Sequence, residues 1–420
     1  MNSRERFIAA LEHREPDRPP LDLGATSVTG IHALALHRLR KSIGQPERPV
    51  VVYEVLQQLG LVDEQDIAAM HIDVCGILPY TDFVGAPNDS FVPYDNRFGI
   101  PALCVAGYRT QYDPESGRTY AYPCGQQGGE PSMMMPAGGY FFDSLDRTPD
   151  DVDTEGLDPR EDYGPSFALL SDEELEFYRK QAAHLAGETD LGVIGNLAPA
   201  GFGDAAFLPA PNLTAPRGIR KMTDFIMAHR LRPDYIHGLF AMQLEYALKN
   251  LELYRQAVGD SIQAIFMGGT DFGTQRGLMM NAEDFREFYR PYWQTVNDWV
   301  HTHTKWKTFY HSCGAVSALI PDFIEAGVDI LNPVQCSACG MDAAALKAAY
   351  GDRLVFWGGG MDTQHVLPRG TTDEVRETVR ERLRIFAPGG GFVFNAIHNI
   401  QADTPVENIT AMLEEFFACQ

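Results

Sequence analysis

Lys307-Thr308-Phe309-Tyr310-His311-Ser312-Cys313-Gly314 is a strand-like run that ends on an imidazole and a thiol and is broken by a glycine. Residues i and i+2 of an extended segment point to the same face, so His311 and Cys313 can converge on one ion. A nitrogen beside a sulfur suits zinc, and two protein ligands leave room for a third and for an open position. The run belongs to a series. Residues 262–268, 307–311, 328–332, 354–357 and 391–395 all read as strands with helices between them. Strand–helix alternation at this spacing predicts parallel pairing, and the number of strands predicts an α/β fold closed into a (β/α)8 TIM barrel. An open doubly wound sheet is the alternative. Its fingerprint is missing, because Gly358-Gly359-Gly360 and Gly389-Gly390-Gly391 both fail the G-x-G-x-x-G spacing.

Toward the amino end, Asn2 and Glu5 are spaced as a helix cap and its third residue, with Phe7, Ala10 and Leu11 on one apolar face. Pro16, Pro19 and Pro20 stop that helix before Leu21-Asp22-Leu23-Gly24, the first expected strand. Periodicity predicts helices over residues 31–44 and 53–70, then strands over 72–78 and 191–195. Further helices are expected from Ser171 onward and over 217–228, 234–258 and 371–386. Between about 85 and 165 the pattern loosens into turns rich in Gly, Pro and Tyr, with extended pieces expected at 95–100 and 138–142. We read residues 1–420 as a single barrel domain in which 85–165 is an irregular β/loop insertion or cap. Met133-Met134-Met135, inside it, reads as loop or core packing.

Lys and Arg total 34 against 57 Asp and Glu, a formal charge of -23. That charge opposes nucleic acid and anionic membrane as partners, and it disfavours polyanionic substrates. Seven irregularly spaced cysteines do not make a disulfide framework in a chain this long, and no apolar run approaches the ~20 residues of a membrane span. The start of the chain shows no signal-peptide pattern, so a reducing cytoplasm is expected.

In such a barrel the chemistry lies just past the carboxyl end of each strand. Asp271 and Gln275 follow one expected strand, and His311 and Cys313 the next. Asn332 and Gln335, then Asp362 and His365, then Asn395, His398 and Asn399 follow the remaining three. The third metal ligand has two candidates. His398 reaches in from the last strand, whereas Cys336 and Cys339 form a C-x-x-C that would close a structural Cys3His site with His311 and Cys313.

The chain resembles the uroporphyrinogen decarboxylase superfamily. The resemblance rests on residues 4–11 (RERFIAAL), His311-Ser312-Cys313-Gly314, residues 327–332 (GVDILN) and the run from Asn395 to Asn408. It implies a (β/α)8 barrel with its active site at the carboxyl face. The superfamily divides into porphyrinogen decarboxylases and zinc-dependent, corrinoid-linked methyltransferases of the coenzyme M and O-demethylase type. The methyltransferase branch carries H-x-C, with a third ligand, typically cysteine, just before a T-P-x-E-N helix start. Here Thr404-Pro405-Val406-Glu407-Asn408 is that start, and the ligand position holds His398. The decarboxylases carry an arginine-rich segment after the first strand, whereas residues 24–30 here contain no arginine. The resemblance therefore implies a methyltransferase with zinc held by His311, Cys313 and His398. Its methyl group moves between a small methyl ether or thiol and a corrinoid, methylcobalamin or cob(I)alamin. Asp271 would orient the substrate, while Gln335, Asp362 and Asn395 supply hydrogen bonds. No D-x-H-x-x-G signature is present, so the corrinoid is expected on a partner protein or free. A homodimer would be ordinary for such barrels. The alternatives are a metal-independent decarboxylase using Asp73 or Asp271, and a catalytically silent binding barrel within a methyl-transfer complex.

Overall fold

The computed structural model describes residues 1–126, 129–148 and 156–419. Seven parallel strands form its central sheet: β1 (Val74–Ile77), β2 (Gly192–Asn196), β3 (Ala264–Gly268), β4 (Lys307–His311), β5 (Ile330–Asn332), β6 (Val355–Trp357) and β7 (Phe392–Val393). Each pairs with its neighbour in chain order. Their apolar runs are buried on both faces, the pattern of parallel strands covered by helices. The result is a mixed α/β fold with a curled sheet. Its edges, β1 and β7, both reach the Leu21–Asp22 segment. Asp22 N–H donates to Phe394 O at 2.9 Å, and Asp73 N–H donates to Leu21 O at 2.9 Å.

Side chains from the inner face fill the sheet's interior, among them Val74, Ile194, Phe309, Trp357 and Val393. The helix Ser3–Leu11 adds Phe7 and Leu11 to that cluster. Phe7 meets Trp357 edge-on at 5.5 Å, and a Cβ on Gly192 would lie 2.6 Å from Phe7 Cγ, so only glycine admits the ring. Helices on the outside alternate with the strands. One example is Thr372–Phe386, whose buried Val375, Val379, Leu383 and Phe386 form an i, i+4, i+8, i+11 stripe behind a Thr371/Glu374 capping box.

Residues 53–70 are not one helix. Val50–Glu54 and Leu59–Gly60 are strands, and only Glu64–Met70 is helical. The β-branched Val50-Val51-Val52 run favours extension, and a helix begins only where Asp63 caps it. Val50–Glu54 joins a mixed four-stranded sheet with Leu59–Gly60, Ala102–Val105 and Phe91–Pro93. A second such sheet is antiparallel, formed by Arg109–Tyr112, Thr119–Tyr122, Met133–Met135 and Asp143–Ser144. The pieces expected to be extended at 95–100 and 138–142 are instead turns between these strands, with positive φ at Arg97, Gly99 and Gly138. Met133 and Met135 pack in an apolar cluster with Val84 and Val105.

Three buried carboxyl groups give the fold a pH signature. Burial raises Asp22 to about 7, Glu54 to about 8 and Asp82 to about 7. Unfolded carboxyls titrate near ~4, so above about pH 6.5 the unfolded chain has shed protons that the folded chain still holds. Stability therefore falls as pH rises from about 6.5 to about 8, by up to ~1.4 kcal/mol per group per pH unit. The buried histidines, lowered to about 4, oppose this trend only at the lower edge of the window, where their unfolded forms still lose protons near ~6.5, and they drop out above about pH 7.5. The thermal midpoint of metal-free protein is expected to drop across it; a flat or rising midpoint contradicts this account.

Candidate metal centre

His311 ends β4 and lies in register with Asn332 of β5. Asn332 Nδ2 donates to Trp357 O at 3.0 Å, which turns its Oδ1 toward the imidazole. His311 Nδ1–H therefore donates to Asn332 Oδ1 at 2.6 Å, leaving the Nε2 lone pair free. That Nε2 lies 3.2 Å from Cys313 Sγ. A histidine held through one nitrogen with the other open is the usual arrangement of a metal-ligating imidazole.

The turn carrying Cys313 is pinned from three sides. Cys313 N–H donates to Asp271 Oδ1 at 2.6 Å, and Gly314 N–H donates to Gln335 Oε1 at 2.7 Å. Ser312 Oγ accepts from Phe272 N–H at 3.0 Å. Gly314 sits at φ +88°, where a Cβ would lie 2.5 Å from Gly273 O. No side chain fits that position.

His398, beyond β7, comes edge-on to His311, with ring centroids 5.2 Å apart. One ligand atom each from His311, Cys313 and His398 lie within 4.8 Å of one another. The donor set of two imidazoles and a thiol fits zinc with one position open. His398 is less prepared than His311, since its Nδ1 accepts the Asn399 N–H at 2.8 Å. Binding a metal would require that contact to yield or the ring's proton to move to Nδ1. Burial brings both imidazoles down to about 4, keeping them neutral as a ligand must be. Burial, helped by the neighbouring Asp271 carboxylate, pushes the Cys313 thiol well up.

The structure places the other expected residues unequally. Asp271 lies 3.9 Å from His311 Nε2, and burial raises its carboxyl. Gln335 is buried behind the turn. Asp362 instead caps its own loop, accepting from Gln364 N–H at 2.7 Å and His365 N–H at 2.9 Å. Asn395 joins β7 to the amino-terminal segment, donating to Asp22 O at 2.8 Å and Thr29 O at 3.2 Å. Among the described residues Cys336 and Cys339 stand outside the trio, half-buried and exposed as free thiols. Sequence reasoning missed Asn332 as the bond that orients His311. It also missed Asp204, a buried carboxylate in the loop after β2.

Comparison with known proteins agrees with this architecture. A methyltransferase from Methanosarcina mazei superposes over 100% of this chain and 99% of its own at a TM-score of 0.54 and 14% identity, a likeness of fold. A curated uroporphyrinogen decarboxylase from Psychromonas ingrahamii is 39% identical over 77 residues, 17% of this chain and 21% of that protein. The chain thus aligns with about a fifth of that relative's length. The sequence profile of uroporphyrinogen decarboxylase (URO-D) matches residues 173–417, the stretch that runs from the helix before β2 to the last helix and carries His311, Cys313 and His398. With more than half of its length matched, the chain belongs to the uroporphyrinogen decarboxylase family.

Proposed function

We propose that the protein is a zinc-dependent methyltransferase that moves a methyl group between a small methyl ether or thiol and a corrinoid. The carrying observation is the convergence of His311, Cys313 and His398 within 4.8 Å. The reading takes Leu21–Asp22 as the eighth stave of a (β/α)8 barrel, with residues 85–165 as a cap on one domain. It also takes the corrinoid to arrive on a partner protein, the compartment to be cytoplasmic and the assembly to be a homodimer. No helix among the described residues is long and apolar enough to cross a membrane.

Zinc held there supplies a Lewis acid that acidifies a thiol or polarises an ether oxygen. The chain's own groups do the rest. Asn332 holds His311 in the ligating tautomer. Asp271 and Gln335 hold the Cys313 turn by its backbone, and the Asp271 carboxylate also interacts with the thiol itself. Asp271, partly open to solvent, is placed to orient the substrate.

Family membership keeps the decarboxylase reading in view. Asp73, one of its candidate groups, is bound by Arg6, Arg18, Ser3 and Leu21 N–H just before β1, at the opposite end of the sheet from His311. The test is an assay of both reactions. Incubated with cobalamin in its methyl or reduced form and a panel of thiols and aryl methyl ethers, the wild-type protein is expected to change the cobalamin spectrum. Porphyrinogen, offered separately, is expected to release no carbon dioxide. Carbon dioxide release without a cobalamin change would overturn the proposal.

A further inference from the structure

His398 differs from His311 in what holds it. Its Nδ1 accepts the Asn399 N–H at 2.8 Å. A neutral imidazole has a single lone-pair nitrogen, so the proton of this ring sits on Nε2. Ligation through Nδ1 would take the lone pair that Asn399 already uses. Ligation through Nε2 would send the proton to Nδ1, where it meets the same N–H. Either way the Asn399 contact has to break before His398 can serve a metal.

Asn399 cannot yield by itself. It is 1% exposed, and both heavy atoms of its side-chain amide are engaged. Oδ1 accepts the Gly30 N–H at 2.6 Å, while Nδ2 donates to Ser27 O and to Gln57 Oε1, each at 2.8 Å. The backbone is zipped to the same segment, since Ile400 N–H donates to Gly30 O at 3.0 Å and His32 N–H to Ile400 O at 2.8 Å. Residues 24–30 are in turn tied to both ends of the sheet's carboxyl side. Asn196, at the end of β2, donates to Ala25 O at 2.9 Å, and Asn395, just past β7, donates to Thr29 O at 3.2 Å. Val28 packs against the interior cluster that holds Phe309 and Trp357.

We infer that Asn399 is a positioning residue that couples His398 to residues 24–30: clamped to Gly30, Ser27 and Gln57, its N–H keeps the His398 lone pair occupied, and His398 joins the metal only when the segment shifts. Residues 24–30 thereby select between a two-ligand centre of His311 and Cys313 and a three-ligand centre. The inference rests on the zinc-centre part of the functional reading and not on methyl transfer.

The test follows amide exchange of residues 24–33 and 399 in metal-free and zinc-saturated wild-type protein. Zinc is expected to speed exchange at the Gly30 and Asn399 N–H groups at least about fivefold, because both lose their acceptors. A bound ligand ordinarily stabilises the folded state and slows exchange, so a purely structural Asn399 does not give this sign. In His398→Ala the Gly30 amide is expected not to respond to saturating zinc. Asn399→Ala releases the clamp, so its zinc affinity in chelator competition should rise at least about fivefold. If that variant fails to fold, Gln57→Ala, which removes one of the three clamping bonds, is expected to raise it about twofold. Exchange slowed or unchanged by zinc in wild type overturns the inference, and so does affinity lowered or unchanged in whichever variant folds. Those results leave methyl transfer to the cobalamin assay, whereas zinc absent from wild type overturns both.

Discussion

Purified Cys313→Ala is expected to carry less than about one tenth of the zinc of the wild-type protein, which itself should hold roughly one ion per chain. Cys313 is the only cysteine grouped with the His311 and His398 nitrogens among the described residues. Removing it leaves two imidazoles, too few to hold zinc against buffer and water. His398→Ala is expected to lose most of the metal too, with a residual fraction because His311 and Cys313 remain 3.2 Å apart and prepared. Cys336→Ala should keep its zinc, since that thiol lies outside the trio. Metal analysis of the four proteins after dialysis checks this series. Zinc-free wild type, or zinc lost with Cys336 and kept without Cys313, would return the metal-independent readings to first place.

The second large effect is expected from Gly314→Ala. A methyl group there meets the Gly273 carbonyl, and the residue must also hold φ +88°. Backbone cannot move aside as a side-chain tip can, so the combined strain should cost about 2–4 kcal/mol. The damage should also reach the centre, because the same turn aims Cys313 and accepts its support from Asp271 and Gln335. Gly277→Ala, with nothing within 4 Å of its Cβ and no positive φ, is the control and should stay within ~0.5 kcal/mol of wild type. A thermal or denaturant midpoint for each, with zinc content alongside, decides it. Equal midpoints would show that the turn relaxes freely and that its glycine is dispensable.

The parts of the site that were readable in the chain share one property: they depend on neighbours close in sequence. The His311/Cys313 pairing follows from the period of two in an extended segment, and Gly314 marks where the extension must break. The strand series was legible because strands buried on both faces are uninterrupted apolar runs. The same shortcut failed at residues 53–70. Val50–Glu54 is a buried strand of a small mixed sheet, and the positive φ at Gln58 ends any helix that periodicity suggested. The turns at 95–100 and 138–142 failed for a related reason, since Phe98 and Tyr140 pack on each other and Phe98 on His32, contacts made between turns and not along a strand.

By itself the sequence determined that repeated strands carry polar residues at their carboxyl ends, that an imidazole and a thiol share one face, and that the chain is too acidic to favour polyanions. Only the tertiary structure decided which distant residues join them. His398 enters and Cys336 does not because the loop after β7 comes back beside His311, while Cys336 packs against the core and Cys339 is exposed. Asn332 selects the tautomer of His311 because the register of β5 against β4 sets the two side by side. Asp204 reaches the centre because glycines let one loop lie against another's backbone. Local propensity acts over a few residues, whereas these contacts join segments tens to hundreds of residues apart, and only the packing of the whole sheet sets them.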